Sequence, residues 1–141
     1  MKSQMNKPTT GGCACGMIRF EIPGESIFQN HCQCLQCQAM SGTGHSSFMT
    51  FMREGVQHSG EPALWDLVGE SGTTKTRAFC PTCGSPLFIA YPANPGVITV
   101  HATSLDDPGR FSPQVVTYAS RARAWDTLDP KLTAFEKMPT K

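Results

Sequence analysis

Apolar and polar residues alternate along this chain in short runs separated by glycine and proline. "MIRFEI" (residues 17–22) alternates as a half-buried strand does, and Pro23-Gly24 ends it. "SSFMTF" (46–51) predicts a second strand. "EGVQHSGEPALWDLV" (54–68) predicts two short strands about a turn at Gly60 and Pro62. "TKTRAF" (74–79) alternates again and runs into a pair of cysteines. "PLFIAY" (86–91) and "GVITVHA" (96–102) predict a hairpin across "PANP", and "PQVVTYAS" (113–120) a last strand. Helix is scarce: "LQCQAMSGTG" (35–44) has room for one short helical turn before its glycines, and "LDDPGRF" for a turn or a single helical turn. Many short strands with turn residues between them predict an all-β fold, sandwich or barrel-like. Without repeat, low-complexity tract or linker, the expected organisation is one domain over residues 11–141 after a polar, loose segment, 1–10. Trp65 and Trp125 are expected in the core or partly buried.

Composition fits this picture. A chain of 141 residues, 39% hydrophobic, can bury a core without covalent staples. The formal net charge is +1, from 12 Lys and Arg against 11 Asp and Glu, with no basic stripe. Nucleic acid is therefore not an expected partner. The longest apolar runs are only a few residues, too short for a membrane span. "MKSQMNKPTT" has no apolar segment of the secretory kind, so the expected location is the cytoplasm.

The chemistry lies in seven cysteines grouped as "CAC", "CQCLQC" and "CPTC". In a reducing compartment such spacing points to shared metal rather than disulfides. If "GGCACG" is extended, Cys13 and Cys15 present both sulfurs on one face. "FCPTCGS" has the form of a zinc knuckle, with Gly84 suited to the turn that follows Cys80 and Cys83. Two such half-sites joined through a β fold make a closed, four-thiolate structural site. Cys32, Cys34 and Cys37 remain. Three ligands with an open fourth position are what a catalytic zinc requires. His31 or His45 could instead close this site as a fourth ligand. The three thiols could also serve as a metal-free redox cluster, or the cysteines as packing residues. Paired thiolates in knuckle spacing favour zinc over iron.

With "GGCACGMIRFEI", "HCQCLQCQAMSG" and "FCPTCGSPLFI" in view, the sequence resembles the glutathione-dependent formaldehyde-activating enzyme family, which also contains centromere protein V. The tail "SLDDPGRFSPQVVTYASRARAWDTLDPKLTAFEKMP" shares the resemblance, which covers residues 11 to 138. Many members carry His where this chain has Gln33. The resemblance implies a β fold of the Mss4-like, β-tent kind. It implies two zinc ions per chain: a structural one on Cys13, Cys15, Cys80 and Cys83, and a reactive one on Cys32, Cys34 and Cys37. It also implies a carbon–sulfur lyase that forms S-(hydroxymethyl)glutathione from glutathione and formaldehyde, so that the expected partners are a small thiol such as glutathione and an aldehyde.

A glutathione-like ligand would want a cationic neighbour, for which Arg53, Lys75, Arg77, Arg121 and Arg123 are candidates. His45 could shuttle a proton beside the reactive zinc. With only three ligands, that zinc is expected to be the more labile of the two. The competing function is a non-catalytic zinc module that binds a partner protein, with two closed zinc sites and an exposed apolar patch outside them.

Overall fold

The computed structural model describes residues 7–139. Eleven strands and one α-helix follow in the order β1 (Thr9–Gly12), β2 (Arg19–Ile22), β3 (Phe28–Cys32), α1 (Leu35–Ser41), β4 (Ser46–Met52), β5 (Gln57–Ser59), β6 (Ala63–Val68), β7 (Thr74–Phe79), β8 (Pro86–Ala90), β9 (Val97–His101), β10 (Val115–Thr117) and β11 (Thr133–Ala134). They form a three-stranded sheet, ordered β1-β2-β5, and an eight-stranded sheet, ordered β11-β10-β3-β4-β9-β8-β7-β6. The mostly-β expectation holds, with two sheets and a single short helix. Among the described residues, no helix is long and apolar enough to cross a membrane.

The large sheet buries both faces. On one face, Met49 and Phe51 of β4, Ile98 and Val100 of β9, and Phe88 of β8 pack with Ile18, Phe20 and Ile22 of the β1–β2 hairpin. Residues two apart on a strand share a face, so Phe48 looks the other way from Met49 and Phe51. There Phe48 and Ile89 join Tyr118 and the three thiols Cys32, Cys34 and Cys37 in a second, smaller core. The first core holds the sheets together. The second gathers three of the seven cysteines.

Two sequence expectations need correction, and one strand, β3, is not among the expected ones at all. Segment 1–10 falls mostly outside the described residues, but its Thr9 and Thr10 are paired in β1 against Ile22 and Glu21. Strand β3 has no apolar alternation to reveal it: its inward residues include Asn30, whose amide donates to Thr117 Oγ1 at 3.0 Å. Cross-strand pairing, antiparallel to β4 and parallel to β10, holds it extended. Trp65 and Trp125 are not core residues, being 62% and 69% exposed.

Candidate metal centres and the adjoining cavity

Cys13 and Cys15 lie beyond the end of β1, and the expected extended geometry is absent. The Gly16 N–H donates to the Cys13 carbonyl at 3.1 Å, closing a turn that brings the two sulfurs to 3.6 Å. Gly16, at φ 81°, supplies the left-handed conformation the turn needs. Gly12 is required for a different reason: a Cβ there would stand 2.3 Å from the Ile18 carbonyl oxygen across the hairpin. The second half-site follows β7. Both the Thr82 and Cys83 N–H groups donate to Cys80 Sγ at 3.4 Å, the hydrogen bonding expected of a knuckle around a thiolate.

The two half-sites meet. Cys15 Sγ and Cys80 Sγ are 3.7 Å apart, and all four sulfurs lie within 4.8 Å of one another. A tetrahedral ion with Zn–S bonds of about 2.3 Å places its sulfurs about 3.8 Å apart, so the set fits. Ser85 sits between the halves. Its oxygen accepts the Ala14 N–H at 3.0 Å and lies 3.2 Å from Cys83 Sγ. The Ser85 hydroxyl and backbone bring the Cys83 thiol down to about 5, favouring the thiolate a metal needs.

Cys32, Cys34 and Cys37 converge at the β3–α1 junction, with sulfurs within 4.8 Å of one another and all three side chains buried. Cys32 ends the strand. Cys34 is the helix N-cap, and its sulfur accepts the Cys37 N–H at 3.4 Å. Cys37 is one turn on, so the C-x-x-C spacing turns both sulfurs inward. Gly42 ends the helix in the left-handed conformation, its N–H bonded to the Gln38 carbonyl. Hydrogen bonds from Cys32 and Cys37 hold the Cys34 thiol down to about 2, whereas Cys32 and Cys34 push Cys37 up. Three buried thiols in contact cannot all ionise unaided, and a cation is what would let them do so.

Cys32 also forms part of the wall of a cavity of about 220 Å³ on this face of the large sheet. Phe28, Phe48, Tyr91 and Tyr118 give it an aromatic surface, and Lys75 gives it a cation. Tyr91 OH and Thr50 Oγ1 each lie 2.8 Å from Thr99 Oγ1, forming a chain of hydroxyls along the wall. Burial alone would lower the Lys75 pKa, but negative charge on Cys37, Cys34 and Cys32 raises it above its ordinary value. Tyr118 has φ 56°, the left-handed region, which non-glycine residues occupy at a cost of roughly 1–3 kcal/mol and often beside functional sites.

The model of the glutathione-dependent formaldehyde-activating enzyme family matches residues 8–121, most of the chain. The chain belongs to this family. No curated protein matches the sequence. Among solved structures, the crystal structure of a Rhodobacter sphaeroides protein is similar, with a TM-score of 0.53 and 22% identity over 69% of this chain and 87% of that one. This second likeness supports the fold.

Within the formaldehyde-activating family frame, the other expected residues can be placed. His45 does not join the three thiols: its Nδ1 lies 2.6 Å from an Asp126 carboxylate oxygen. His31 packs edge-on against His45 and Phe111, with its Nδ1 2.9 Å from Ser47 Oγ. Among the described residues, no histidine or carboxylate completes the three-thiol set. Of the candidate cations, Lys75 alone lines the cavity beside Cys32. Arg121 is paired with Glu70, Arg123 donates to Gln38, and Arg53 lines pockets elsewhere. Arg77 lies near His101, which burial and then the Arg77 charge bring down to about 4. Ser85, Tyr91 and Tyr118 carried no sequence signal. Strand register and turn geometry place them, and neither follows from a local motif.

Proposed function

We propose that this chain is a zinc-dependent enzyme that joins a thiol to a formaldehyde-type aldehyde and, in reverse, cleaves the adduct: a carbon–sulfur lyase resembling S-(hydroxymethyl)glutathione synthase. The observation that carries the proposal is the double role of Cys32, which belongs both to the three-thiol cluster and to the wall of a cavity. In this scheme Cys13, Cys15, Cys80 and Cys83 hold a structural zinc, and Cys32, Cys34 and Cys37 hold a reactive one. A zinc ion with three protein ligands supplies a Lewis acid and lowers the pKa of a thiol at its remaining position.

The chain's residues do the rest. Phe28, Phe48, Tyr91 and Tyr118 give the bound thiol an apolar wall to pack against. Lys75 balances the negative charge that a further thiolate adds beside three cysteine sulfurs. The thiol sulfur attacks the carbonyl carbon and a carbon–sulfur bond forms. The proton the thiol gives up ends on the carbonyl oxygen, which becomes a hydroxyl, and in this scheme the Tyr91–Thr99–Thr50 hydroxyls relay it. The net change adds one thiol to one aldehyde, with no oxidant or reductant.

A second reading, a non-catalytic zinc module for a protein partner, is favoured by one observation: edge strand β6 exposes Leu64, Trp65 and Val68. Zinc content per chain before and after mild chelation, paired with binding of small thiols to each form, separates the two. The enzyme predicts two zinc ions, one labile, with thiol binding lost alongside it. Two tightly held zinc ions and no thiol binding would favour the module.

A further inference from the structure

The charge and size of the cavity beside Cys32 restrict the thiol further, given the proposed function above. Among the described residues, Lys75 is the one charged residue in its lining, and no Asp or Glu lines it. Among the described residues, no carboxylate lies within ion-pair reach of Lys75: the ion pairs are Arg19–Asp106, His45–Asp126 and Arg121–Glu70. Register puts Lys75 on this face. In β7, Arg77 is opposite Ile89 and Thr76 opposite Ala90, so the pairing carries Lys75 toward Tyr91 at the cavity wall. The β6–β7 turn closes over it. The Gly69 N–H donates to the Thr73 carbonyl at 2.9 Å, and a Cβ at Gly69 would stand 3.3 Å from Lys75 Nζ. Ser71 and Thr73, from the same turn, also line the cavity, with the Ser71 hydroxyl donating to Thr73 Oγ1 at 3.1 Å. A cation with two hydroxyls beside it is a receptor for one carboxylate. An ammonium group would find no carboxylate in the lining to pair with, and Lys75 would repel it.

Size points the same way. The cavity, about 220 Å³, is below the roughly 300–1,000 Å³ of sites that enclose a drug-sized ligand. A tripeptide thiol would have to leave much of itself outside.

We propose that the cavity selects a short mercaptocarboxylate, a thiol bearing one carboxylate and no ammonium. Lys75 receives the carboxylate while the sulfur reaches the Cys32, Cys34 and Cys37 cluster. Lys75 is thus a specificity-determining residue, and glutathione is larger and more zwitterionic than this cavity prefers.

The test is calorimetric titration of the zinc-loaded chain with 3-mercaptopropionate, 2-mercaptoethanol, cysteamine and glutathione. 3-Mercaptopropionate should bind at least about tenfold more tightly than 2-mercaptoethanol, as expected for a charge-assisted hydrogen bond. Cysteamine should bind more weakly than either. Lys75→Gln should bring 3-mercaptopropionate to the level of 2-mercaptoethanol, and Lys75→Arg should keep part of the preference. Zinc content and circular dichroism of each variant establish that it is folded and loaded. Thiol binding that ignores charge, tighter binding of glutathione, or a preference that survives Lys75→Gln overturns this inference and leaves the proposed function standing. No binding of any thiol overturns both.

Discussion

Cys34 Sγ accepts the backbone N–H of Cys37 at 3.4 Å, so one thiol of the cluster caps the helix that carries another. The same sulfur thus has a structural and a chemical duty, and substitution can separate them. Cys34→Ser keeps a capping oxygen and should cost less than about 0.5 kcal/mol of metal-free stability, whereas Cys34→Ala should cost about 1 kcal/mol. Both should lose the labile zinc. Thermal melts of chelated protein and zinc content of the untreated protein check the two halves separately.

Ser85 touches both halves of the four-cysteine set, accepting the Ala14 N–H and lying beside Cys83 Sγ. Outer partners that orient metal ligands are typically worth about 10–100-fold in affinity. Ser85→Ala should therefore weaken zinc at Cys13, Cys15, Cys80 and Cys83 by at least about tenfold. Competition with a graded series of chelators reads this directly. Zinc at the three-thiol cluster should be unaffected.

Gly12 has no room for a side chain, because the Ile18 carbonyl oxygen stands 2.3 Å from where its Cβ would be. Gly12→Ala should open the β1–β2 hairpin and destabilise the chain by about 1–3 kcal/mol, the range for forcing atoms into a packed region. Denaturant unfolding at fixed zinc concentration measures it.

His101 is held neutral in the fold, its pKa lowered from 6.5 to about 4 by burial and then by Arg77. Between those values the unfolded chain binds a proton that the folded chain refuses. Stability should fall as pH drops from 6.5 toward 4, with a total loss of about 3 kcal/mol at about 1.4 kcal/mol per unit. Acid also protonates cysteine ligands, so the informative quantity is the difference between wild type and His101→Gln. The variant should lack this part of the slope, and equal slopes in the two proteins would refute the assignment.

Much of the site is legible in sequence because its parts are local. Three cysteines within six positions can only lie near one another, and a C-x-x-C turn followed by Gly84 carries its geometry with it. Strands β2 and β7 are legible for the same reason, since alternation is a property of neighbours, and β8 and β9 show as apolar runs on either side of "PANP". Strand β3 is not, because it buries Asn30, and burial of a polar residue shows only when its Thr117 partner is known. Lys75 is one cation among several in the sequence. Its place beside Cys32 depends on the order in which β7, β8, β9, β4 and β3 lie in the sheet. His45 illustrates the opposite failure: proximity in sequence suggests a metal role, and a distant residue, Asp126, captures the ring.

The two cysteine clusters differ in how much chain must exist before each is complete. The three-thiol cluster is finished at Cys37, whereas the four-thiol cluster spans Cys13 to Cys83. During synthesis on the ribosome, five of the seven cysteines emerge before Cys80 is made. Cys13 and Cys15 are then near Cys32, Cys34 and Cys37 along an unfinished chain, and closing that shorter loop costs less entropy than waiting for the longer one. A zinc ion arriving early meets five thiols and the wrong pairings among them. Under the proposed zinc assignment, an ion bound early would have to be passed on once β7 forms and brings Cys80 and Cys83 to Cys13 and Cys15.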